Sequence, residues 1–117
     1  MSRYAVLLAV LVALGCATGS LIDQPFGPDG KTIRQEIQTY PAEMKSAFAL
    51  AERRCTQCHT INEPFAAHVA PGGWRAVVRK MARQPGAAIP AADQEKIAGF
   101  FEYYFERRAE ESRRRKP

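Results

Sequence analysis

The 117-residue sequence predicts an all-α domain of about three helices. Between residues 30 and 110 no stretch alternates apolar and polar residues as a half-buried strand does, and three segments instead repeat apolar residues three and four apart. Proline and glycine cluster between those segments, in "PGG" at 71 to 73, "QPG" at 84 to 86 and at Pro90, which separates the helices from one another. With 25% charged and 46% hydrophobic residues the chain is an ordinary globular protein, and its length supports one small core.

The first element reads as an export leader. Arg3 gives a basic start, and Tyr4 to Leu14 is an unbroken apolar run of eleven residues. That is the length of a signal-peptide core and too short for the roughly 30 Å of a bilayer interior. The run ends in "ALGC", which resembles a bacterial lipobox and would make residues 1–15 the leader and Cys16 a lipidated N-terminus. A plain leader cut near Ala17 to Ser20, or an uncleaved anchor continuing through Leu21 and Ile22, are the alternatives. Lipidation also accounts for the third cysteine of an exported chain, which is otherwise a free thiol. Residues 16–40, with the proline- and glycine-rich "DQPFGPDGK", read as an extended tether.

The first helix is expected from about Pro41 to His59, with Pro41 in its first turn, Glu43 at its positive end and Ala47, Phe48, Ala51 and Cys55 along one side. The second starts near Trp74 and ends before "QPG". Trp74, Val77, Val78 and Met81 form its apolar stripe, with Arg75, Arg79, Lys80 and Arg83 on the other faces. The third follows Pro90, with Asp93 and Glu95 near its start and an apolar aromatic face of Ile97, Phe100, Phe101, Tyr104 and Phe105. That face is expected to cross the first helix on its Ala47/Ala51 side, where small residues admit close approach.

At residues 55 to 59 the chain reads "CTQCH", which gathers two of its three cysteines and one of its two histidines. Three chemistries cluster such residues: a redox dithiol, a zinc site, or attachment of a c-type haem, written C-x-x-C-H. A thioredoxin-like dithiol needs a βαβ setting that this sequence does not offer. Zinc would need Cys55, Cys58, His59 and His68, with neighbouring Cys58 and His59 reaching one tetrahedral ion and eight residues between the histidines, against the usual three to five. A structural disulfide between Cys55 and Cys58 is a further alternative. For haem the spacing works: cysteines three apart on a helix face one side and can form two thioethers, while His59 turns its imidazole to the iron.

On these residues the chain resembles small class I monohaem cytochromes c over residues 41 to about 108. The resemblance implies a cytochrome c-like fold around one haem c, with a helix leading into C-x-x-C-H and a closing C-terminal helix. It implies that the Pro71 carbonyl accepts the Nδ1 proton of His59, a bond that orients the ring and raises its basicity. "WRAVVRKM" is similar to a pattern in short bacterial cytochrome c domains whose final methionine is the sixth ligand, here Met81, with Trp74 and Val78 walling the distal pocket. His68 is the alternative sixth ligand. Met1 lies in the leader and Met44 on the proximal helix.

Residues 17 to 106 hold ten basic and ten acidic residues, so the net charge of the exported chain sits in "RRAEESRRRKP", with six basic and two acidic. Residues 109–117 of that run read as a solvated basic tail, or as a docking arm for an acidic redox partner or anionic lipid. Export excludes nucleic acid as a partner. Without paired carboxylates beside a base, or a nucleophile beside a histidine, no enzymatic site is expected. The function expected is one-electron transfer on the periplasmic side of a bacterial membrane, lipid-anchored or soluble. An open sixth position would instead make a haem-based sensor or binder of small ligands, or give peroxidase-like activity.

Overall fold

Thr32 opens the first helix with a reciprocal cap: its Oγ1 accepts the Gln35 N–H at 3.0 Å while Gln35 Oε1 accepts the Thr32 N–H at 2.9 Å. The pair satisfies two backbone donors at once, a device contributing about 1 kcal/mol. In the computed structural model, which describes residues 20–26, 29–55 and 60–116, five helices account for the regular structure and no strand forms among the described residues. They are α1 (Ile33–Ile37), α2 (Ala42–Cys55), α3 (Asn62–Ala66), α4 (Trp74–Ala82) and α5 (Ala91–Arg115), preceded by a 3-10 turn at Leu21–Asp23. The all-α class expected from the sequence is what the described residues adopt.

Residues 20–40 correct the expectation of an extended tether. Ile22, Ile33, Ile37 and Tyr40 are all buried in the same core as the longer helices. Arg34 fastens this segment: its Nε donates to Asp23 Oδ1 at 2.8 Å and its Nη1 lies 3.2 Å from Glu52 Oε2 on α2. Ile22 precedes the glycine- and proline-rich run that suggested a tether and Ile33, Ile37 and Tyr40 follow it, all four turned into the core.

α2 begins one residue later than expected, because the Pro41 carbonyl accepts the first helical bonds, from Met44 and Lys45. α2 and α4 both pack on α5. The expected crossing holds, since Ala47, Ala51, Ile97, Phe100, Phe101 and Tyr104 are all buried, and Phe48 meets Phe100 at 5.4 Å between ring centroids. Arg54 Nη2 lies 3.1 Å from Asp93 and ties the C-terminal end of α2 to the start of α5.

The hub of the aromatic core is Phe65 on the short α3. Its ring lies 5.0 Å from Tyr104, 5.4 Å from Phe101, 6.1 Å from Phe48 and 6.2 Å from Phe100, all edge-on. Tilted and edge-to-face rings at these distances add to the burial of their area. Pro64 fits inside α3 because it occupies the first turn, where its missing N–H has no helical partner to lose.

α5 does not end near residue 108 but continues as helix to Arg115, so the basic run 109–115 is ordered helix. Alanine, glutamate and arginine are strong helix formers, and Arg113, Arg114 and Arg115 in the last turn complement the negative end of the helix dipole. No helix among the described residues is long and apolar enough to cross a membrane.

Candidate functional site

Cys55 is the last residue of α2 and is buried, at 5% exposure. Burial pushes its thiol up from the ordinary cysteine value. Its partners in the motif, Cys58 and His59, lie outside the described residues, as does Cys16.

The Cys55 side chain borders a cavity of about 300 Å³ whose other walls are Arg54, Met81, Gln84, Pro85, Ala87 and Ile89. Met81 also borders a second cavity of about 140 Å³, between Glu63, Pro64, Ala67, Trp74 and Val77. The stripe read along α4 thus divides by burial. Trp74 and Val78, at 1% and 0% exposure, turn into the core, while Val77 and Met81 are half-buried and face the cavities. Val78 lines neither cavity and serves the core behind them.

Trp74 is held as a wall. Its ring stacks on Phe101 at 4.6 Å and on Phe105 at 5.4 Å, with interplanar angles of 23° and 13°. Its Nε1 is buried and meets no acceptor among the described residues.

The turn before α4 is built for its position. Gly73 N–H donates to Ala70 O at 2.9 Å, closing a four-residue turn with Pro71 second and Gly72 third, and Gly72 has φ 82°. Only glycine takes that angle freely, and proline at the second position presets its own φ. A Cβ on Gly73 would come within 3.0 Å of both Ala70 O and Val69 Cγ1, so this second glycine is set by space. Glu102 on α5 then clamps the turn, with Oε2 accepting the Gly72 N–H at 3.0 Å and Oε1 the Trp74 N–H at 2.9 Å. Pro71 is exposed and borders a surface groove with Trp74 and Glu102, apart from the Cys55 cavity.

His68 is exposed on the loop after α3 and lines neither cavity. Among the described residues no three of His, Cys, Asp and Glu gather as a metal-binding group.

Sequence reasoning missed three contributors. Residues 84–89 form one wall of the Cys55 cavity, and there Ala88 takes φ 47°, a left-handed angle that costs a residue with a Cβ about 1 kcal/mol. Arg54 reaches that strained segment, with Nη1 3.5 Å from Ala88 O. Glu102, an acidic residue beside the aromatic face, carries no sign in the sequence that it folds back onto residues thirty and twenty-eight positions earlier.

The residue types that line the two cavities are compatible with a haem. The two cavities that meet at Met81 are walled mainly by aliphatic and aromatic side chains, a thioether stands between them, and Trp74 offers a buried donor in need of an acceptor. Compared with family models, with curated proteins and with solved structures, the chain matches none.

Proposed function

We propose that the chain is an exported one-electron carrier with one haem c joined covalently to Cys55 and Cys58, and with His59 and Met81 as axial ligands. The observation that carries this reading is the meeting of the Cys55 thiol, first residue of C-x-x-C-H, and the Met81 thioether at one cavity. The chemistry a bound haem supplies is a reversible ferrous–ferric couple. The chain's own residues hold and insulate it. Cys55 and Cys58 would hold the porphyrin edge, Met81 would bring a soft ligand from a half-buried helix face, and Pro64, Ala67, Trp74 and Val77 would keep water from that side. A thioether ligand favours ferrous iron relative to a second imidazole and raises the potential. Cys16, as an acylated N-terminus, would hold the carrier on the periplasmic side of a bacterial membrane, where a protein redox donor and acceptor reach it.

Covalent attachment is tested by acid–acetone extraction of the purified chain. Haem should remain with the wild-type polypeptide and be lost from the Cys55→Ala, Cys58→Ala double variant. Extraction of free haem from the wild-type chain would overturn the assignment.

A further inference from the structure

Leu21 and Phe26, at 39% and 41% exposure, are the exposed large hydrophobic residues among those described, and both belong to the segment that packs against the domain ahead of α1. They project from a pinned platform. Ile22 between them is fully buried, and Asn62 Oδ1 on α3 accepts from Ser20 Oγ at 2.9 Å and from the Leu21 N–H at 2.8 Å. The Phe26 N–H donates to Lys31 O at 3.1 Å, and the Arg108 guanidinium lies 3.7 Å from the Phe26 ring centre.

Because residues 20–40 are folded, the chain between Cys16 and this platform is only Ala17 to Gly19. Four residue steps reach about 14 Å when fully extended, against about 5–7 Å of headgroup and interfacial layer in one leaflet. An acyl group on Cys16 therefore keeps the platform within about 14 Å of its attachment point, at or near the membrane surface. The charge around the platform suits anionic headgroups. Lys31 and Arg115 border a shallow depression with Phe26, the α5 end nearby carries exposed Arg113, Arg114 and Lys116, and the carboxylates of Asp29, Glu36 and Glu111 offset only part of this charge.

We infer that the face carrying Leu21 and Phe26 is seated on an anionic phospholipid bilayer, with this apolar pair in the interface and the basic end of α5 at the headgroups. The inference rests on acylation of Cys16. An apolar pair beside cations is how a peripheral surface engages such a bilayer, by burial of apolar area together with attraction to the negative leaflet. The seating fixes the domain's orientation, which a long flexible tether would leave free.

The test uses the full haem-loaded chain, produced with its leader and reconstituted in vesicles of phosphatidylethanolamine and phosphatidylglycerol. Leu21→Cys, Phe26→Cys and, as an exposed control on α2 away from the haem cavities, Lys45→Cys each accept a nitroxide label. Power saturation then compares collisions with dissolved oxygen and with a water-soluble nickel chelate, and an unchanged haem spectrum verifies that each labelled chain is folded. Positions 21 and 26 should favour oxygen over nickel several-fold more than position 45 does. The mass of the N-terminal peptide reads the anchor separately. Acyl mass present with equal accessibility at all three positions overturns the seating alone; acyl mass absent overturns the anchor, and the seating with it.

Discussion

Glu102 accepts the Trp74 backbone N–H at 2.9 Å, so the closing helix holds the first residue of the helix that carries Met81. With its second oxygen on Gly72, the carboxylate fixes the start of α4 from across the molecule. Hydrogen bonds to a charged group contribute about 1.5–3 kcal/mol each when well shielded, and the exposure of this pair puts it at the low end. Glu102→Ala should cost about 2 kcal/mol in thermal or denaturant unfolding and weaken the far-red absorption of methionine-ligated ferric haem. Glu102→Gln keeps one acceptor oxygen and should restore most of both. An alanine variant as stable as the wild type would show that the clamp is idle.

Met81 and His68 make opposite predictions for the sixth ligand. Met81→Ala should abolish the far-red band and shift the ferric spectrum toward high spin, while His68→Ala, at an exposed loop position, should leave both unchanged. Loss of low-spin ligation in His68→Ala with Met81→Ala unaffected would install a bis-histidine carrier of lower potential in place of the one proposed.

The Tyr40 hydroxyl is buried and meets no partner among the described residues, although its ring sits 5.0 Å edge-on to Tyr103 and lies under the Arg107 guanidinium at 5.2 Å. An unsatisfied buried hydroxyl costs about 1 kcal/mol or more, whereas the ring contacts survive its removal. Tyr40→Phe should therefore raise Tm by roughly 4 °C in a domain of this size. A fall in Tm would mean that the hydroxyl has a partner.

Burial raises the Tyr104 phenol to about 12 and moves Tyr40 upward as well. The unfolded chain releases these protons near pH 10, and the folded chain holds them to higher pH. Between those values the folded state binds more protons, so stability is full below about pH 10 and declines as pH rises toward 12. The decline assignable to Tyr104 is of order 2 kcal/mol. Tyr104→Phe should flatten the curve over that window in denaturant titrations. An unchanged slope would place the alkaline transition elsewhere.

What the sequence disclosed followed the length of each pattern. α2, α4 and α5 span two or more turns, long enough for apolar residues three and four apart to declare a face, and their starts at Pro41, Gly73 and Pro90 were marked by residues suited to those positions. α1 and α3 have five residues each, too few to show a period, and exist because the core holds them. The T-x-x-Q cap of α1 was visible at Thr32 and Gln35 but stood behind a glycine- and proline-rich run that read as a tether. At the site, Cys55 and Met81 could be picked out by residue type, and the folded chain brings both to one cavity. The 84–89 wall and the Glu102 clamp depend on how α5 lies against the earlier helices, and no local spacing encodes that.

The order in which the chain is made adds a constraint to the burial of Cys55. Synthesis runs from the N-terminus, so residue 55 emerges before residues 81 to 89 exist to wall its cavity and before the rings of α5 exist to surround Phe65. During that interval the thiol is open from the side that Met81 and Ile89 later close. The docking of α5 ends the interval, so a bulky reactant meets Cys55 most freely before the last quarter of the chain has packed.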